Sequence, residues 1–488
     1  MANTCGKYLN FKKDNYGFKI LQFLNQKKEI FTPLHEGHVN MYVCGPTVYD
    51  HPHIGHAKSY VSFDVIVRYL RYLGYKVRYV QNITDVGHLT DNADTGEDKI
   101  LKRAQREHVE PAVLVEKYMR SYFEDMDALN NKRPDISPRA TAYIPEQIEL
   151  VEKLIEKGYA YVSNGSVYFD IQKFKEYGKL SGRKQEELDA GARIEINPEK
   201  RYPADFALWK KAEPRHIMRW KSSWGEGFPG WHLECSAMSM KYLGQTLDIH
   251  GGGLENVFPH HECEIAQSEA ANNLPFVRYW IHNNMVTVNG QKMGKSLGNF
   301  LLIADLLKRC PVNYIRFFVA KNLWRSPVDY SESVMIEVKS AVDKIEEFLR
   351  KLKYVKAVKS DKTLKIEIKK LETNFYNELD DDFNTPKAFA VMFEFINKAN
   401  ILLETNLISR ADAKKIYQFF QEINKIFGII NFKKVNRTIP AEIKKLAKQR
   451  EEYRKNKEWQ KADEVRLEIE KKGFYVQDSE NGSVIKSI

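Results

Sequence analysis

The sequence predicts an α/β protein with a parallel sheet and an inserted module, followed by an all-α helical bundle and a small basic α/β segment. Two observations predict this class. Strand, loop and helix patterns alternate between residues 39 and 83, and after residue 327 apolar residues recur at helical spacing among many Lys and Glu. The chain has 488 residues, of which 43% are hydrophobic and 29% are charged. This length and composition indicate a globular protein of about three domains.

The first half of the predicted sheet rests on one strand–helix–strand pattern. Residues 39–43 (VNMYV) are a short apolar run that ends at a Gly-Pro pair. Apolar residues between 57 and 73 recur at helical spacing, and a glycine follows them as a helix stop. Residues 76–83 (KVRYVQNI) predict a second strand. Strands joined through such a helix pair in parallel, so the arrangement is Rossmann-like and its first loop lies at the ligand-binding edge.

Changes in pattern along the chain divide it into six predicted segments. Helices are predicted at residues 146–157, 336–352, 380–403, 411–427 and 441–472, and a terminal hairpin at Asn481-Gly482. Residues 126–224 interrupt the strand pattern, which resumes at 247–250 and 276–281. The segments are the first half of the α/β domain (1–125), an inserted connective module (126–224), the second half of the α/β domain (225–285), a connecting domain (286–335), the helical bundle (336–435) and the basic C-terminal segment (436–488).

Charge and cysteine content narrow the expected partners and compartment. Lys and Arg exceed Asp and Glu by 11, which favours a polyanionic partner such as nucleic acid. Five scattered cysteines do not resemble a disulfide framework, so metal binding or burial explains them better. Cys5 and Cys310 have no partner pattern and are interpreted as structural. The chain lacks a long apolar run and a signal-peptide core, so a cytoplasmic protein without a membrane partner is expected.

The loop VCGPTVYDHPHIGH (43–56) places one cysteine and three histidines after the first strand. His53 and His56 stand where a helix N-terminus offers unpaired N–H groups and the positive end of its dipole. Two imidazoles there can donate to phosphate oxygens, and Gly55 allows a nucleotide to approach closely. His51 is interpreted as a neighbour without a fixed role.

A second loop, QKMGKSLGN (291–299), carries Lys292 and Lys295 three residues apart. Two lysines in a loop with Gly and Ser suit a mobile clamp on phosphates. A solvated basic loop is the alternative explanation of this motif on its own. Because both loops follow strands of the same predicted sheet, together they predict one nucleotide site at its edge.

Candidate metal ligands are concentrated in three stretches of the sequence. The candidates are Cys44, Cys235, His260, His261, Cys263 and Glu264. His260 and Glu264 are four residues apart and share one face if the stretch is helical, and Pro259 suits the first turn of that helix. Two thiolates, an imidazole and a carboxylate can hold zinc, whereas each cysteine alone is explained as a small buried hydrophobe. Cys263 lies on roughly the same face, so its participation stays open.

Several stretches of the sequence together carry a resemblance to a known family. They are CGPTVYDHPHIGH (44–56), GWHLECSAM (230–238), HGGGLENVFPHHECE (250–264) and DDFNTPKA (381–388). HIGH with KMGKS resembles the class I aminoacyl-tRNA synthetases, and these stretches resemble the cysteinyl-tRNA synthetase family from about residue 40 to the C-terminus. Three positions depart from the family pattern: Cys263 stands where Asn is expected, Gly294 replaces the serine of KMSKS, and Glu255 stands where the family often has Asp.

The resemblance implies a ligand set and an activity. One Zn²⁺ per chain would be held by Cys44, Cys235, His260 and Glu264, with His261 pointing elsewhere. L-cysteine and ATP would form cysteinyl-adenylate and pyrophosphate, and cysteine would pass to the terminal adenosine of its tRNA. The implied catalytic groups are His53, His56, Lys292 and Lys295 with Mg²⁺ on the ATP, and the implied ATP contacts are Gly55, His53, His56 and Lys295.

Zinc would select the substrate thiolate over the hydroxyl of serine, which a pocket of matching shape rejects poorly. The resemblance also implies that Thr84, Trp231 and His250 border the substrate, and it leaves the role of Glu255 open. Gly251 to Gly253 would border the same pocket.

The expected partners are cysteine tRNA, ATP and L-cysteine, and a monomer is expected. The helical bundle and the basic tail would contact the tRNA, whereas Asp381, Asp382 and Asn384 would shape a helix start. The main alternative is a cysteine ligase that uses an amino sugar to make a small thiol, although such an acceptor needs no long basic platform. A nucleotidyltransferase would not need the Cys/Cys/His/Glu set, and a non-catalytic zinc protein that binds RNA would not need both loops.

Overall fold

The structure, a computed structural model, describes residues 17–86, 98–183, 197–213, 216–294, 297–479 and 482–487. The chain forms two compact units. The first comprises the chain up to Lys339 together with Lys365–Phe395 and Phe419–Ile429, and the second comprises Ser340–Leu364, Ile396–Gln418 and Ile430–Ile488. Among the described residues, no helix has both the length and the apolar character that crossing a membrane requires.

The N-terminal part of the first unit builds a hairpin and one half of a parallel sheet. Its elements are β1 (Lys19–Gln22), β2 (Lys27–Ile30), β3 (His38–Val43), α1 (Ile54–Tyr72), β4 (Lys76–Gln81), α2 (Lys99–Glu107) and α3 (Pro111–Ala128). Helix α1 forms because apolar residues such as Val61 and Leu70 repeat along its buried face. It stops before Gly74, whose φ of 97° few other residues adopt.

The inserted module is a helix packed on an antiparallel sheet. Its elements are α4 (Ile144–Glu156), β5 (Ala160–Ser163), β6 (Ser166–Phe169), β7 (Phe206–Lys211), β8 (Trp220–Ser222) and β9 (Gly225–Pro229). The strands lie in the order β5-β6-β7-β9-β8. Fully buried Phe169, Leu208 and Trp209 form its core with Val151 and Leu154 of α4.

The chain then returns to complete the parallel sheet. The elements are α5 (Trp231–Leu243), β10 (Leu247–Gly253), α6 (Glu262–Asn272) and β11 (Val277–Asn283). The strand order is β11-β10-β3-β4, and every pair is parallel, which confirms the predicted sheet. Because all four strands point the same way, their carboxyl ends meet at one edge, where open α/β sheets bind ligands.

The rest of the chain is mainly helical, as predicted. Its elements are β12 (Val286–Val288), β13 (Gln291–Lys292), α7 (Ile303–Arg309), α8 (Val312–Ala320), β14 (Val328–Tyr330), α9 (Glu332–Lys353), α10 (Leu364–Asp380), α11 (Thr385–Glu404), α12 (Arg410–Phe427), α13 (Phe432–Asn436), α14 (Ala441–Lys455), α15 (Trp459–Lys471), β15 (Phe474–Ser479) and β16 (Gly482–Ser487). The terminal strands pair as a hairpin, whose predicted turn residue Asn481 lies outside the described residues.

Two predicted helices are broken in the structure. The helix predicted from residue 380 starts at Thr385, because Asp382 and Phe383 have positive φ values of 62° and 51°. The helix predicted over 441–472 is interrupted near Lys457, whose φ is 60°. Asn384 does shape a helix start, since its side chain accepts the Lys387 N–H at 3.4 Å.

Asp382 has a different role from the one predicted. It is fully buried, and its carboxylate accepts the Leu21 N–H at 2.9 Å and pairs with Arg325. Asp382 therefore holds the N-terminal hairpin to the connection after α8, and it does not cap the next helix.

Candidate active site and metal centre

Four of the predicted ligands meet beneath the carboxyl edge of the sheet. The ligand atoms of Cys44, Cys235, His260 and Glu264 all lie within 4.8 Å of one another, and all four residues are buried. The two Sγ atoms are 3.9 Å apart, and His260 Nε2 lies 3.0 Å from Glu264 Oε1. Two sulfurs, one imidazole nitrogen and one carboxylate oxygen at this spacing fit the donor set and coordination number of zinc.

Each ligand is placed by a different element of the fold. Cys44 follows β3, and its N–H donates to the Gly251 carbonyl of β10 at 2.9 Å. Cys235 lies in the second turn of α5, and Glu264 lies in the first turn of α6. The cluster therefore exists only when the two halves of the sheet are assembled around the inserted module.

The charges within the cluster favour metal-binding forms. Burial raises the pKa of Cys235, but hydrogen bonds with Cys44 and His260 outweigh it and bring this pKa to about 6. Burial likewise opposes ionisation of Glu264, yet the neighbouring His250 and His260 lower its pKa to about 2. Metals bind thiolate and carboxylate, so these two ligands are held near the protonation state that a cation requires.

The two cysteines are not equivalent. Burial raises the pKa of Cys44 well above its ordinary value, and Cys235 and Glu264 raise it further. Two thiolates and a carboxylate at these distances repel one another, so a cation is needed to hold all three ionised. This arrangement suits a divalent metal better than a purely structural polar core.

His261 does not point away from the cluster, contrary to the prediction. Its Nε2 lies 3.2 Å from Cys44 Sγ, and its Nδ1 lies 2.7 Å from His282 Nε2. With Cys44, His250 and Glu264 it forms a second set whose ligand atoms lie within 4.8 Å of one another. Residues 257–261 form a wide turn before α6, but His261 at its end has helical φ and ψ of −69° and −30°. Its ring therefore reaches Glu264 across three residues, as the ring of His260 does across four.

That wide turn also changes the position of Pro259 and of its neighbours. The sequence had suggested that Pro259 lies in the first turn of α6, but in the structure Pro259 precedes that helix. Phe258 within the turn has extended φ and ψ of −139° and 133°. His260 and His261 both follow Phe258, and they stand four and three residues before Glu264, so both can face the cluster.

Cys263 lies apart from both sets of possible ligands. Its Sγ is 3.4 Å from the Tyr177 hydroxyl, and it packs in the core of the inserted module. Neither set of clustered ligand atoms found among the described residues includes Cys263, which argues against its participation in the metal site.

The three residues predicted to border the substrate surround the cluster. The Trp231 ring stacks on His260 with centroids 4.1 Å apart. His250 Nε2 lies 2.8 Å from Glu264 Oε2. The Thr84 hydroxyl donates to Glu234 Oε2 at 2.8 Å and accepts from the Asn82 side chain.

Other residues of this site were not predicted. His282 at the end of β11 lies opposite Gly252 of β10, and Asn82 Oδ1 accepts the Gly45 N–H at 2.8 Å. Glu234 is fully buried beside Thr84. For Asn82 and His282 the available signal was their position at the carboxyl ends of buried parallel strands, which share one edge of the sheet. Glu234 lies in α5 and carried no such signal.

The HIGH loop forms a double cap on helix α1. The Gly55 N–H donates to His53 Nδ1 at 3.0 Å, and the His53 N–H donates to His56 Nδ1 at 3.1 Å. Since both Nδ1 atoms accept, each neutral ring carries its proton on Nε2 and can donate it. Burial and the neighbouring His53 hold the pKa of His56 well below its ordinary value, so His56 stays neutral. A side chain at position 55 would lie 2.7 Å from the His53 ring, which requires glycine there.

His51 braces the loop from outside the cap. Its Nδ1 lies 2.7 Å from the Ser121 hydroxyl of α3, and its ring meets Tyr118 edge-on at 4.9 Å. His51 therefore has a fixed structural position, although the sequence indicated none.

The KMGKS loop begins beside the HIGH loop. Lys292 is exposed, and Asn299 ties the loop by accepting the Gly294 N–H at 2.9 Å and donating to the Lys292 carbonyl at 3.3 Å. The Ile54 N–H donates to the Leu301 carbonyl at 2.9 Å, so the chain after the loop is paired with the start of α1. Lys295 lies outside the described residues.

Comparison with known proteins gives the class first. Residues 30–340 match the family model of the tRNA synthetases class I (C) catalytic domain, and residues 374–431 match that of the DALR domain. The fold is similar to a Mycobacterium tuberculosis methionyl-tRNA synthetase solved with methionyl-adenylate, with a TM-score of 0.61 and 14% identity over 80% of this chain and 92% of that chain. The fold and the paired loops are those of a class I aminoacyl-tRNA synthetase.

Relatives that match over nearly the whole chain give the family. A cysteine–tRNA ligase of Chlorobaculum tepidum is 50% identical over 479 residues, which cover 95% of this chain and 98% of that protein. One from Deinococcus radiodurans is 46% identical over 487 residues, or 97% of each chain. The chain belongs to the cysteine–tRNA ligase family.

Proposed function

We propose that this chain joins L-cysteine to its cognate tRNA in two steps. In the first, a cysteine carboxylate oxygen bonds to the α-phosphorus of ATP, and the bond to pyrophosphate breaks. In the second, a ribose hydroxyl of the terminal tRNA adenosine attacks the cysteinyl carbonyl carbon, AMP leaves with the bonding electrons, and the hydroxyl proton is released. The observation that carries the proposal is the buried cluster of Cys44, Cys235, His260 and Glu264 beside the HIGH loop, in a member of this family.

The first step needs no protein nucleophile, so the chain acts by positioning and charge stabilisation. His53 and His56, with their Nδ1 atoms occupied by backbone N–H groups, donate from Nε2 to the phosphates. Lys292 and Lys295 neutralise the charge that develops on departing pyrophosphate, and Mg²⁺ accompanies the ATP. Gly55 keeps the space at the start of α1 open to the nucleotide.

The cluster serves selectivity and stands apart from the phosphate chemistry. A zinc ion on Cys44, Cys235, His260 and Glu264 would stabilise the substrate sulfur as a thiolate, which the hydroxyl of serine cannot match at neutral pH. Trp231 packs against His260 and limits the size of the pocket, His250 orients Glu264, and Thr84 faces the amino acid.

The tRNA is proposed to contact the helical region 336–435 and the basic segment 436–488. The net charge of +11 supports attraction to a polyanion. We further propose that the enzyme works as a monomer in the cytoplasm, where cysteine, ATP and tRNA meet.

The experiment that tests the function compares two acceptors. Cysteine-dependent ATP–pyrophosphate exchange is measured first, followed by transfer of labelled cysteine to a cysteine tRNA transcript or to an amino sugar. Charging of the tRNA alone is expected; transfer to the sugar would instead support the small-thiol ligase, which the DALR-domain match and the relatives disfavour. Metal-stripped enzyme should lose its preference for cysteine over serine, and an undiminished preference would remove zinc from the selectivity.

A further inference from the structure

A buried ion pair lies inside the first unit, away from the metal cluster. Arg316 of α8 is 0% exposed and Asp64 of α1 is 3% exposed, and Arg316 Nη2 donates to Asp64 Oδ2 at 2.6 Å. A buried guanidinium is tolerated only when its N–H groups are paired. The neighbours of Arg316 therefore show what this residue holds together.

The remaining donors of Arg316 reach the ends of two other helices. Its Nε donates to the carbonyl of Phe427, the last residue of α12, at 2.6 Å. Its Nη1 donates to the carbonyl of Leu129 at 3.1 Å and to Asn131 Oδ1 at 2.8 Å, just after α3. A cation at helix C-termini is favourable, because the last carbonyls carry partial negative charge. One side chain thus ties α1 to the ends of α3 and α12.

Arg68 repeats this arrangement one turn further along α1. Its Nε lies 2.7 Å from Asp64 Oδ2, and its Nη1 donates to the Lys425 carbonyl of α12 at 3.1 Å. The other Asp64 oxygen accepts the Lys132 N–H at 2.8 Å. Two arginines therefore hold the last turn of α12 against the helix that begins with the HIGH pair.

Both ends of this connection lie in the first unit, but one of the helices that it joins begins in the second. Asp64 follows His56 by eight residues on one continuous helix, or about 12 Å along its axis. Helix α12 starts at Arg410 in the second unit and ends at Phe427 in the first. A displacement of α12 along its axis would therefore act on Arg316, and through Asp64 on α1.

We propose that Arg316 is a positioning residue for the transfer step. It fixes α1, and with it the HIGH pair, against the end of α12, so that tRNA bound to the helical region sets the catalytic helix for attack on the adenylate. This proposal rests on the proposed tRNA contacts of the helical region. Adenylate formation without tRNA relies on the hydrogen bonds that His53 and His56 make at the start of α1, which substitutions at the far end of the connection leave in place. Transfer also requires bound tRNA to be placed against that helix, and this is the step that depends on the connection.

Two variants test the connection in different ways. Arg316→Lys keeps the charge beside Asp64 but has too few and too compact donors for the separate carbonyls. Gly428→Ala leaves every donor in place and inserts a Cβ 2.8 Å from Arg316 Nε, at a φ of +63°. Gly158→Ala is the matched control, because Gly158 also follows a helix at positive φ (+79°) but a Cβ there meets nothing within 4 Å.

The measurements are single-turnover adenylate formation, single-turnover transfer to a cysteine tRNA transcript, tRNA affinity, and thermal unfolding. Arg316→Lys and Gly428→Ala should slow transfer about tenfold and change adenylate formation less than about twofold, within the range of couplings between distant sites. Gly158→Ala should leave both rates and tRNA affinity as in the wild type.

If Gly428→Ala slowed adenylate formation and transfer equally while Gly158→Ala kept normal rates, the role of Arg316 would be purely structural, and the proposal would be overturned. Unchanged transfer in Gly428→Ala would overturn it as well, even if Arg316→Lys failed to fold. A wild-type enzyme that charges no tRNA would instead contradict the proposed function, which separates the two failures.

Discussion

At the scale of single residues, Cys235 and Cys44 contribute differently to the cluster although both are buried thiols. Cys235 contacts Cys44 and His260 and has a pKa brought down to about 6, against the effect of burial. Cys44 has a raised pKa because burial is reinforced by the charges of Cys235 and Glu264. The fold therefore favours the ionised form of Cys235 more than that of Cys44, so substitution of Cys235 should weaken metal binding directly.

Cys235→Ser should lose bound zinc and raise the KM for cysteine by at least about tenfold, since a serine hydroxyl stays protonated and ligates zinc poorly. Elemental analysis of the purified variant and pyrophosphate exchange at varied cysteine check both effects. Cys263→Ser is the matched control, because that buried thiol contacts Tyr177 and belongs to neither set of clustered ligand atoms found among the described residues. Full zinc content in Cys235→Ser would remove this residue from the ligand set.

Lys58 gives a residue-scale prediction about pH. It is buried in α1, where Nζ donates to the Trp324 carbonyl at 2.7 Å, and burial lowers its pKa to about 7. In the unfolded chain a lysine pKa is about 10.4. Between these values the unfolded chain binds a proton that the folded chain lacks, so the free energy of unfolding should rise with pH.

Lys58→Met removes that contribution. The difference in unfolding free energy, wild type minus variant, should increase from pH 7 to 9, with a slope of up to about 1.4 kcal/mol per pH unit. Denaturant unfolding at three pH values measures it, and the comparison cancels groups that titrate equally in both proteins. A constant difference would show that Lys58 keeps its ordinary pKa in the fold.

At the scale of elements, Asn299 ties together the described parts of the KMGKS loop on either side of residues 295–296. Asn299 makes two hydrogen bonds across the loop, to the Gly294 N–H and the Lys292 carbonyl. Gly294 adds backbone freedom at the position where the family pattern has serine. Asn299 therefore restrains the backbone of a loop in which Gly294 adds conformational freedom.

Asn299→Ala should slow adenylate formation about threefold to tenfold, which corresponds to the loss of one or two modest hydrogen bonds. The melting temperature should change little, because the loop lies outside the core. Pre-steady-state formation of cysteinyl-adenylate measures the effect, and Lys295→Ala gives the reference for loss of a phosphate contact. An unchanged rate in Asn299→Ala would show that the loop closes without this restraint.

Elements with a clear period were predictable, and irregular ones were not. The strand, loop and helix from His38 to Gln81 follow from apolar spacing alone. The wide turn at residues 257–261 has no such signal. The predicted side-chain direction of His261 was wrong because helical spacing to Glu264 was applied to His260 and not to His261, three residues before that carboxylate. The break before Thr385 depends on positive φ at Asp382 and Phe383, which the sequence of those non-glycine residues does not reveal.

Local spacing in the sequence also could not predict which distant residues join the ligand set. His260 and Glu264 are related by local spacing, but Cys44 and Cys235 are 191 residues apart and meet only through sheet assembly. Their pairing came from the resemblance, and the structure places them together. His282 lies in no motif, and Glu234, although it lies within GWHLECSAM, was assigned no role, so only the assembled structure identifies them as neighbours of the site.

At the scale of the whole molecule, the net charge of +11 makes a prediction about salt. Lys and Arg that neutralise phosphates release counterions, so log affinity for tRNA should fall linearly as log salt concentration rises. Cysteine is small and its recognition is placed at a buried cluster, so its KM should depend little on salt. The salt dependence of the two substrates therefore distinguishes binding by charges on the protein surface from binding at the metal centre.

The measurement is the KM for a cysteine tRNA transcript and for cysteine between about 50 and 200 mM salt. The tRNA KM should rise steeply across this range, and replacing Lys444 and Lys445 of α14 together by Gln should reduce the slope by at most about two contacts. Lys173→Gln with Lys175→Gln in the inserted module is a charge-matched comparison. A tRNA KM that does not respond to salt would mean that base contacts, and not the basic surface, supply the binding energy, and would place recognition in a few side chains of the helical region.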